Sequence, residues 1–200
     1  FAREGAHVIA LARTVGGLEE LDDAISAIGG TTTLVPLDLM DFEALDRLGA
    51  SIDERWGRLD VFLANAGILG GLTPLGHIEP KTFDKIMAIN VTANWRLARS
   101  LDPLLKASDA GRAILMSSGA AQSCKAFWGG YSISKAALEA LGKTWANESE
   151  SSNLTVNLVN PGATRTAMRA EAMPGEDRRA RPGREACRVA DLAESLVFPT

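Results

Sequence analysis

Apolar positions along this chain follow two alternating patterns. Short, nearly continuous apolar runs occur at His7–Ala12, Thr31–Leu37, Asp60–Ala64, Ala113–Met116 and Leu154–Val159, and read as buried strands. Between them the apolar residues recur at helical spacing. Over Gly17–Ile28 the stripe is Leu18, Leu21, Ala24, Ile25 and Ile28, stopped by Gly29-Gly30. Asp41 is placed to cap a helix over Phe42–Trp56, with Gly57 ending it. Pro80 can open a long helical region over Glu79–Lys106. Tyr131–Glu148, rich in Ala and Leu, is the last clear helix. Strict alternation of helices with strands apolar on both faces predicts a parallel sheet covered by helices on both sides, a three-layer α/β/α fold.

Composition narrows this picture without changing it. The 200 residues, 46% of them hydrophobic, suit one domain over residues 1–200 with a real core. A net charge of −4 argues against nucleic acid as a partner, since that would call for a basic surface. No apolar run approaches the roughly 20 residues needed to span a bilayer, and the first residues do not read as a signal peptide. Cys124 and Cys187 lie far apart in sequence and are expected to be free thiols in a reducing, cytoplasmic compartment. His7 and His77 have no Cys or carboxylate at ligand spacing, so no metal site is expected. The stretch 165–188 is polar and Arg-rich with two prolines, and reads as a loop or lid.

The stretch with most chemistry is SSGAAQSCKAFWGGYSISK. Tyr131 and Lys135 lie one helical turn apart on a shared face. An ammonium beside a phenol favours the phenolate, so the Tyr131 pKa is expected to be lowered and the residue to serve as a proton donor near neutral pH. Ser118 follows the Ala113–Met116 strand at its carboxyl edge, where open α/β sheets place ligands. Glycines 119, 129 and 130 lie in the connection between Ser118 and Tyr131. Asn90 shares a stripe with Phe83, Ile86, Met87 and Leu97, so its amide points inward and must find partners there. Trp128, just ahead of Tyr131, is a candidate wall for a substrate pocket.

Together Asn90, Ser118, Tyr131 and Lys135 resemble the catalytic tetrad of the short-chain dehydrogenase/reductases. Ala64 to Gly67 (ANAG) resembles that family's Asn-Asn-Ala-Gly segment, with Ala64 in place of the first Asn. Asn160 to Thr166 (NPGATRT) is similar to its Pro-Gly-x-x-x-Thr loop, and Asp38-Leu39 to its adenine-contact pair. The resemblance covers essentially the whole chain and implies a Rossmann-type fold and an oxidoreductase interconverting a carbonyl and an alcohol. It gives Tyr131 the role of proton donor or acceptor. Ser118 would hold the developing oxyanion, Lys135 would tune Tyr131 and bind the nicotinamide ribose, and Asn90 would hold a water behind Lys135. Asn65, Ala66 and Gly67 would let backbone approach the cofactor ribose. Pro161, Gly162, Thr164 and Thr166 would meet the nicotinamide carboxamide or a phosphate.

In this fold the end of the second strand meets the adenine ribose, where an acidic residue favours NAD. Here Arg13 offers a planar cation suited to a 2′-phosphate. NADP(H) is therefore the expected cofactor, with NAD(H) possible. The implied substrate is a small carbonyl or alcohol compound. The long helices 79–106 and 131–148 would form the contact of a homodimer or homotetramer. The alternatives are an inactive binding or regulatory protein on the same fold, or an epimerase acting on nucleotide sugars. The resemblance also places FAREGA at the end of the family's first helix and DLAESLVFPT in its last. On that reading the family's first strand and Gly-rich loop precede this sequence. Residues 1–200 alone would then be marginally stable and bind cofactor poorly.

Overall fold

The computed structural model describes residues 1–177. Five parallel strands alternate with helices: β1 (His7–Ala12), α1 (Val15–Ser26), β2 (Thr31–Pro36), α2 (Phe42–Trp56), β3 (Val61–Ala64), α3 (Pro80–Met87), α4 (Ala93–Lys106), β4 (Arg112–Met116), α5 (Ala120–Ser123), α6 (Gly129–Glu148), β5 (Thr155–Val159) and α7 (Ala167–Ala172). The capping chemistry is as the sequence predicts. The Asp41 carboxylate accepts from the Ala44 amide at 3.0 Å, and Gly57 closes α2 in the left-handed region at φ 70°.

The strands form two sheets. In one, β1 pairs with β2, His7 opposite Thr31 and Ala12 opposite Pro36. In the other the order is β3-β4-β5, with Ala64 opposite Leu115 and Met116 opposite Val159. Among the described residues no ladder joins β1 to β3, and the division falls where the resemblance puts a further strand. Burial follows this arrangement. Central β4 is buried from Ala113 to Met116, whereas β1 and β2 are only partly buried and Leu63 on β3 is exposed.

The main core joins Leu45 and Ile52 of α2, Leu97, Leu101 and Leu105 of α4, Leu115 of β4, and Leu138 and Trp145 of α6. Trp145 meets its polar need by donating its indole N–H to Asp102 at 2.7 Å. The predicted helix over 79–106 is not uniform. Pro80 opens it, but Ala88–Thr92 adopts a π-turn between α3 and α4. Pro103 lies inside α4.

Candidate functional site

Asn90 sits in that π-turn, where one extra residue per turn rotates a side chain away from the regular helical face. It is fully buried, and every polar atom of its amide has a partner. Its Oδ1 accepts from the Ile68 amide at 2.8 Å. Its Nδ2 donates to the Ile68 carbonyl and to Ser134 Oγ, both at 2.9 Å. Asn90 thus ties the loop after β3 to the helix that carries Tyr131 and Lys135. Gly67 lies against this knot. A methyl group there would come within 3.2 Å of Asn90 Oδ1 and 3.7 Å of Lys135 Nζ. That close approach is what glycine permits and a side chain would crowd.

Lys135 is 4% exposed and donates from Nζ to the Met116 carbonyl at 2.7 Å, at the carboxyl end of β4. Burial pushes its pKa down to about 8. Nζ also lies 5.7 Å from the centre of the Tyr131 ring. Tyr131 is itself buried, and here the expectation of a lowered phenol pKa is corrected. Burial pushes the phenol up, opposed only in part by a hydrogen bond with Ser118. Desolvation outweighs that bond, and the Lys135 ammonium beside the ring is directed to the Met116 carbonyl.

Ser118 lies two residues beyond β4, half-buried, with its Oγ accepting from the Ala120 amide at 3.2 Å. Trp128 stands edge-on to Tyr131, ring centres 6.1 Å apart. The structure therefore brings Asn90, Ser118, Tyr131 and Lys135 to one place at the carboxyl edge of β4.

The other predicted positions spread along the same edge. Arg13 follows β1 and lies 3.9 Å from Asp38, the arginine exposed and the aspartate half-buried, a pair worth at most about 1 kcal/mol. Asp38 also accepts from the Met40 amide at 2.9 Å, and Leu39 packs on the main core. Asn65 and Ala66 are exposed beyond β3. Gly162 turns at φ 69°, its amide donating to Asn160 Oδ1 at 3.1 Å. The Thr164 hydroxyl donates to the Pro161 carbonyl, and Thr166 caps α7 by accepting from the Arg169 amide at 3.1 Å. Of the predicted lid, residues 178–188 lie outside the described residues, as does Cys187. Cys124 is exposed and free. His7 is held between the Thr31 and Thr33 hydroxyls at 2.8 and 3.0 Å, a structural role.

A cleft of about 630 Å³ opens along the loop that Asn90 holds, lined by Arg13, Gly67 and Gly70, by Lys81 and Lys85 of α3, and by Glu171 of α7, and by none of the four tetrad side chains. Three cations against one carboxylate, with glycine backbone between, suit a phosphate-bearing dinucleotide. Lys81 and Lys85 were not singled out from sequence. The signal was present, because both sit on one helical face with Ile89, which lines the same cleft.

Comparison with known proteins agrees. Residues 1–177 match the family model described as short chain dehydrogenase. The chain is 40% identical over 183 residues to the uncharacterized oxidoreductase YciK of Escherichia coli K12, covering 88% of this chain and 71% of YciK. It is 33% identical to an uncharacterized NAD-dependent oxidoreductase of Mycobacterium tuberculosis, covering 84% of this chain and 66% of that protein. A short chain dehydrogenase structure from Shigella flexneri, complexed with NADP, superposes with a TM-score of 0.89 at 37% identity, covering 96% of this chain and 80% of that one. The chain belongs to the short chain dehydrogenase family, oxidoreductases that act with a nicotinamide cofactor.

Proposed function

We propose that this protein interconverts a carbonyl and an alcohol on a small-molecule substrate, with Ser118, Tyr131, Lys135 and Asn90 as its catalytic group and NADP(H) as the preferred cofactor. The observation that carries the reading is the convergence of these four side chains on the carboxyl end of β4, each held by a named partner. Tyr131, with its pKa raised by burial, keeps its proton through neutral pH and has it available for a carbonyl oxygen. Ser118 bonds the phenol oxygen in this structure and lies where it could share a hydrogen bond with a developing oxyanion. Lys135, near pKa 8, is charged at pH 7 and stabilises the phenolate left after proton transfer. Asn90 fixes the π-turn and loop behind Lys135 and, by resemblance, would hold a water there. When bound, the nicotinamide supplies or accepts the hydride.

Cofactor preference rests on Arg13, whose guanidinium lines the cleft where the adenosine half would lie. Asp38 and Leu39 would meet the adenine, Asn65, Ala66 and Gly67 the ribose, and Pro161, Gly162, Thr164 and Thr166 the nicotinamide end. The NADP complex of the Shigella flexneri relative supports the 2′-phosphorylated form, while the Mycobacterium tuberculosis relative is named for NAD. Residues 1–200 would act as one cofactor-binding and catalytic domain.

The test is steady-state reduction by the complete chain of ketoacyl thioesters, ketosteroids, sugars and small ketones, with NADPH and with NADH. Ser118→Ala should lower kcat by about 10²–10³-fold, and Tyr131→Phe by at least about 10²-fold, with the fold intact. Near-normal turnover by Tyr131→Phe would overturn the mechanism. A higher kcat/KM with NADH would overturn the cofactor preference.

A further inference from the structure

Glu139 lies on α6, one turn beyond Lys135, with its side chain largely buried. Its Oε1 accepts from the Ser117 hydroxyl at 2.6 Å. The same carboxylate accepts from the Gln122 side-chain amide, at 2.8 Å on Oε1 and 2.7 Å on Oε2. Ser117 and Gln122 stand on either side of Ser118. Ser117 precedes it directly and is fixed to β5 by its amide, which donates to the Val159 carbonyl at 2.7 Å. Gln122 lies on α5, whose first turn begins on the Ser118 carbonyl and hydroxyl, bonded to the Ala121 and Ala120 amides.

We infer that Glu139 is a positioning residue: one carboxylate grips the chain on both sides of Ser118 and fixes that hydroxyl relative to Tyr131 on the same helix. The inference rests on the reading of Ser118 and Tyr131 given above. The need for such a grip follows from the local chain. Ser118 is on neither a strand nor a helix, and α5 is a single turn that ends at Cys124 in the left-handed region, φ 42°. A segment this short cannot hold a side chain to a few tenths of an ångström by its own hydrogen bonds. Anchoring it to α6 transfers the rigidity of a 20-residue helix to the serine. The tyrosine and its partner serine then share one frame. Lys143 lies 4.0 Å from Glu139 but is largely exposed and adds little to the grip.

The test compares Glu139→Ala and Glu139→Gln in the complete chain, each with and without Ser118→Ala. Glutamine keeps one oxygen for the Ser117 hydroxyl, and its NH2 can donate to the Gln122 carbonyl oxygen once that side-chain amide turns over, so both arms persist and Glu139→Gln should retain kcat within about twofold. Glu139→Ala should lower kcat roughly tenfold. Because Glu139 acts through Ser118, adding Glu139→Ala to Ser118→Ala should cost less than about twofold more. A merely structural role would give the same loss in both backgrounds. Hydrogen exchange over residues 117–123 supplies a readout independent of turnover. It should rise in Glu139→Ala and stay at the wild-type level in Glu139→Gln. Unchanged exchange, unchanged kcat in Glu139→Ala, or an equal loss in the Ser118→Ala background would overturn the inference. If Ser118→Ala itself turned over normally, the catalytic reading would fail, and the exchange result would still decide whether Glu139 holds the segment. Should Glu139→Ala not fold, Gln122→Ala removes one arm at an exposed position and should raise exchange over the same segment.

Discussion

Lys135 carries a charge that its surroundings oppose. Its pKa falls from 10.5 to about 8 because the ammonium is buried with the Met116 carbonyl as its partner. Between those two values the unfolded chain binds the proton and the folded chain does not. Stability therefore rises with pH from about 8 to about 10.5, and below 8 the penalty of burying the ammonium is present in full. The difference amounts to roughly 3 kcal/mol. Tyr131 works the other way, since its raised pKa costs stability only once pH passes the ordinary phenol value near 10. Urea unfolding of wild type and Lys135→Met between pH 7.5 and 10, values set by about those pKa limits, isolates the lysine. The stability advantage of Lys135→Met should shrink steadily across that range, and a constant difference would show that Lys135 is not buried as described. At this scale the sequence was informative where a residue's chemistry is its own signal. Tyr131, Lys135, Ser118 and Asn90 were each a weak signal alone and stood out as a set only through their order and the family resemblance. Glu139 does not, because its partner Ser117 lies 22 positions away and only the fold brings them together.

Helix and strand types followed the hydrophobic period closely, and the departures have definite causes. The π-turn at Ala88–Thr92 was hidden inside Glu79–Lys106, because one inserted residue shifts the apolar stripe by less than the stripe's own width. It is nonetheless the feature that aims Asn90. The close crossing of α2 and α4 was likewise not visible, because it depends on a glycine meeting a backbone atom from another helix. At Gly49 an added methyl would land on the Ser100 carbonyl, and the Gly49 amide donates to Ser100 Oγ at 2.9 Å. The neighbour is backbone and cannot swing aside. Gly49→Ala should therefore destabilise by about 1–3 kcal/mol. Gly17→Ala on α1 has open space around it and should be neutral or stabilising by up to about 1 kcal/mol. Denaturant midpoints of the two variants should move in opposite directions or differ widely. Equal midpoints would show that α2 and α4 are not packed through Gly49.

For the whole molecule, the parallel order of strands was legible, since each strand is apolar and each is followed by a helix. The division between β1 and β3 was legible only through the family resemblance, which puts a further strand there. The outer face of the helical layer also reads only at this scale. α4 directs Leu97, Leu101, Leu104 and Leu105 inward, yet leaves Trp95 48% exposed. α6 buries Leu138 and Trp145 while Ile133 remains 41% exposed. A half-exposed indole and an exposed isoleucine on the two helices that the family resemblance pairs between subunits are apolar area that association would bury, at about 25 cal/mol per Å². Arg96 does not compete for this role. Its guanidinium is held by Asp46 at 2.5 Å and by the Phe42 ring within its own subunit, and lies 5.9 Å from the centre of the Trp95 ring, bracing the indole from one side. We therefore expect a homodimer or homotetramer formed through α4 and α6. Trp95→Glu would set a carboxylate into that contact, and an unpaired charge at a desolvated centre costs several kcal/mol. Sedimentation equilibrium of the complete chain should show an oligomer for wild type and a smaller species for Trp95→Glu, with the far-ultraviolet circular dichroism unchanged. An oligomer of unaltered affinity in Trp95→Glu would place the contact on another face, and a monomeric wild type would leave Trp95 and Ile133 as ordinary exposed residues.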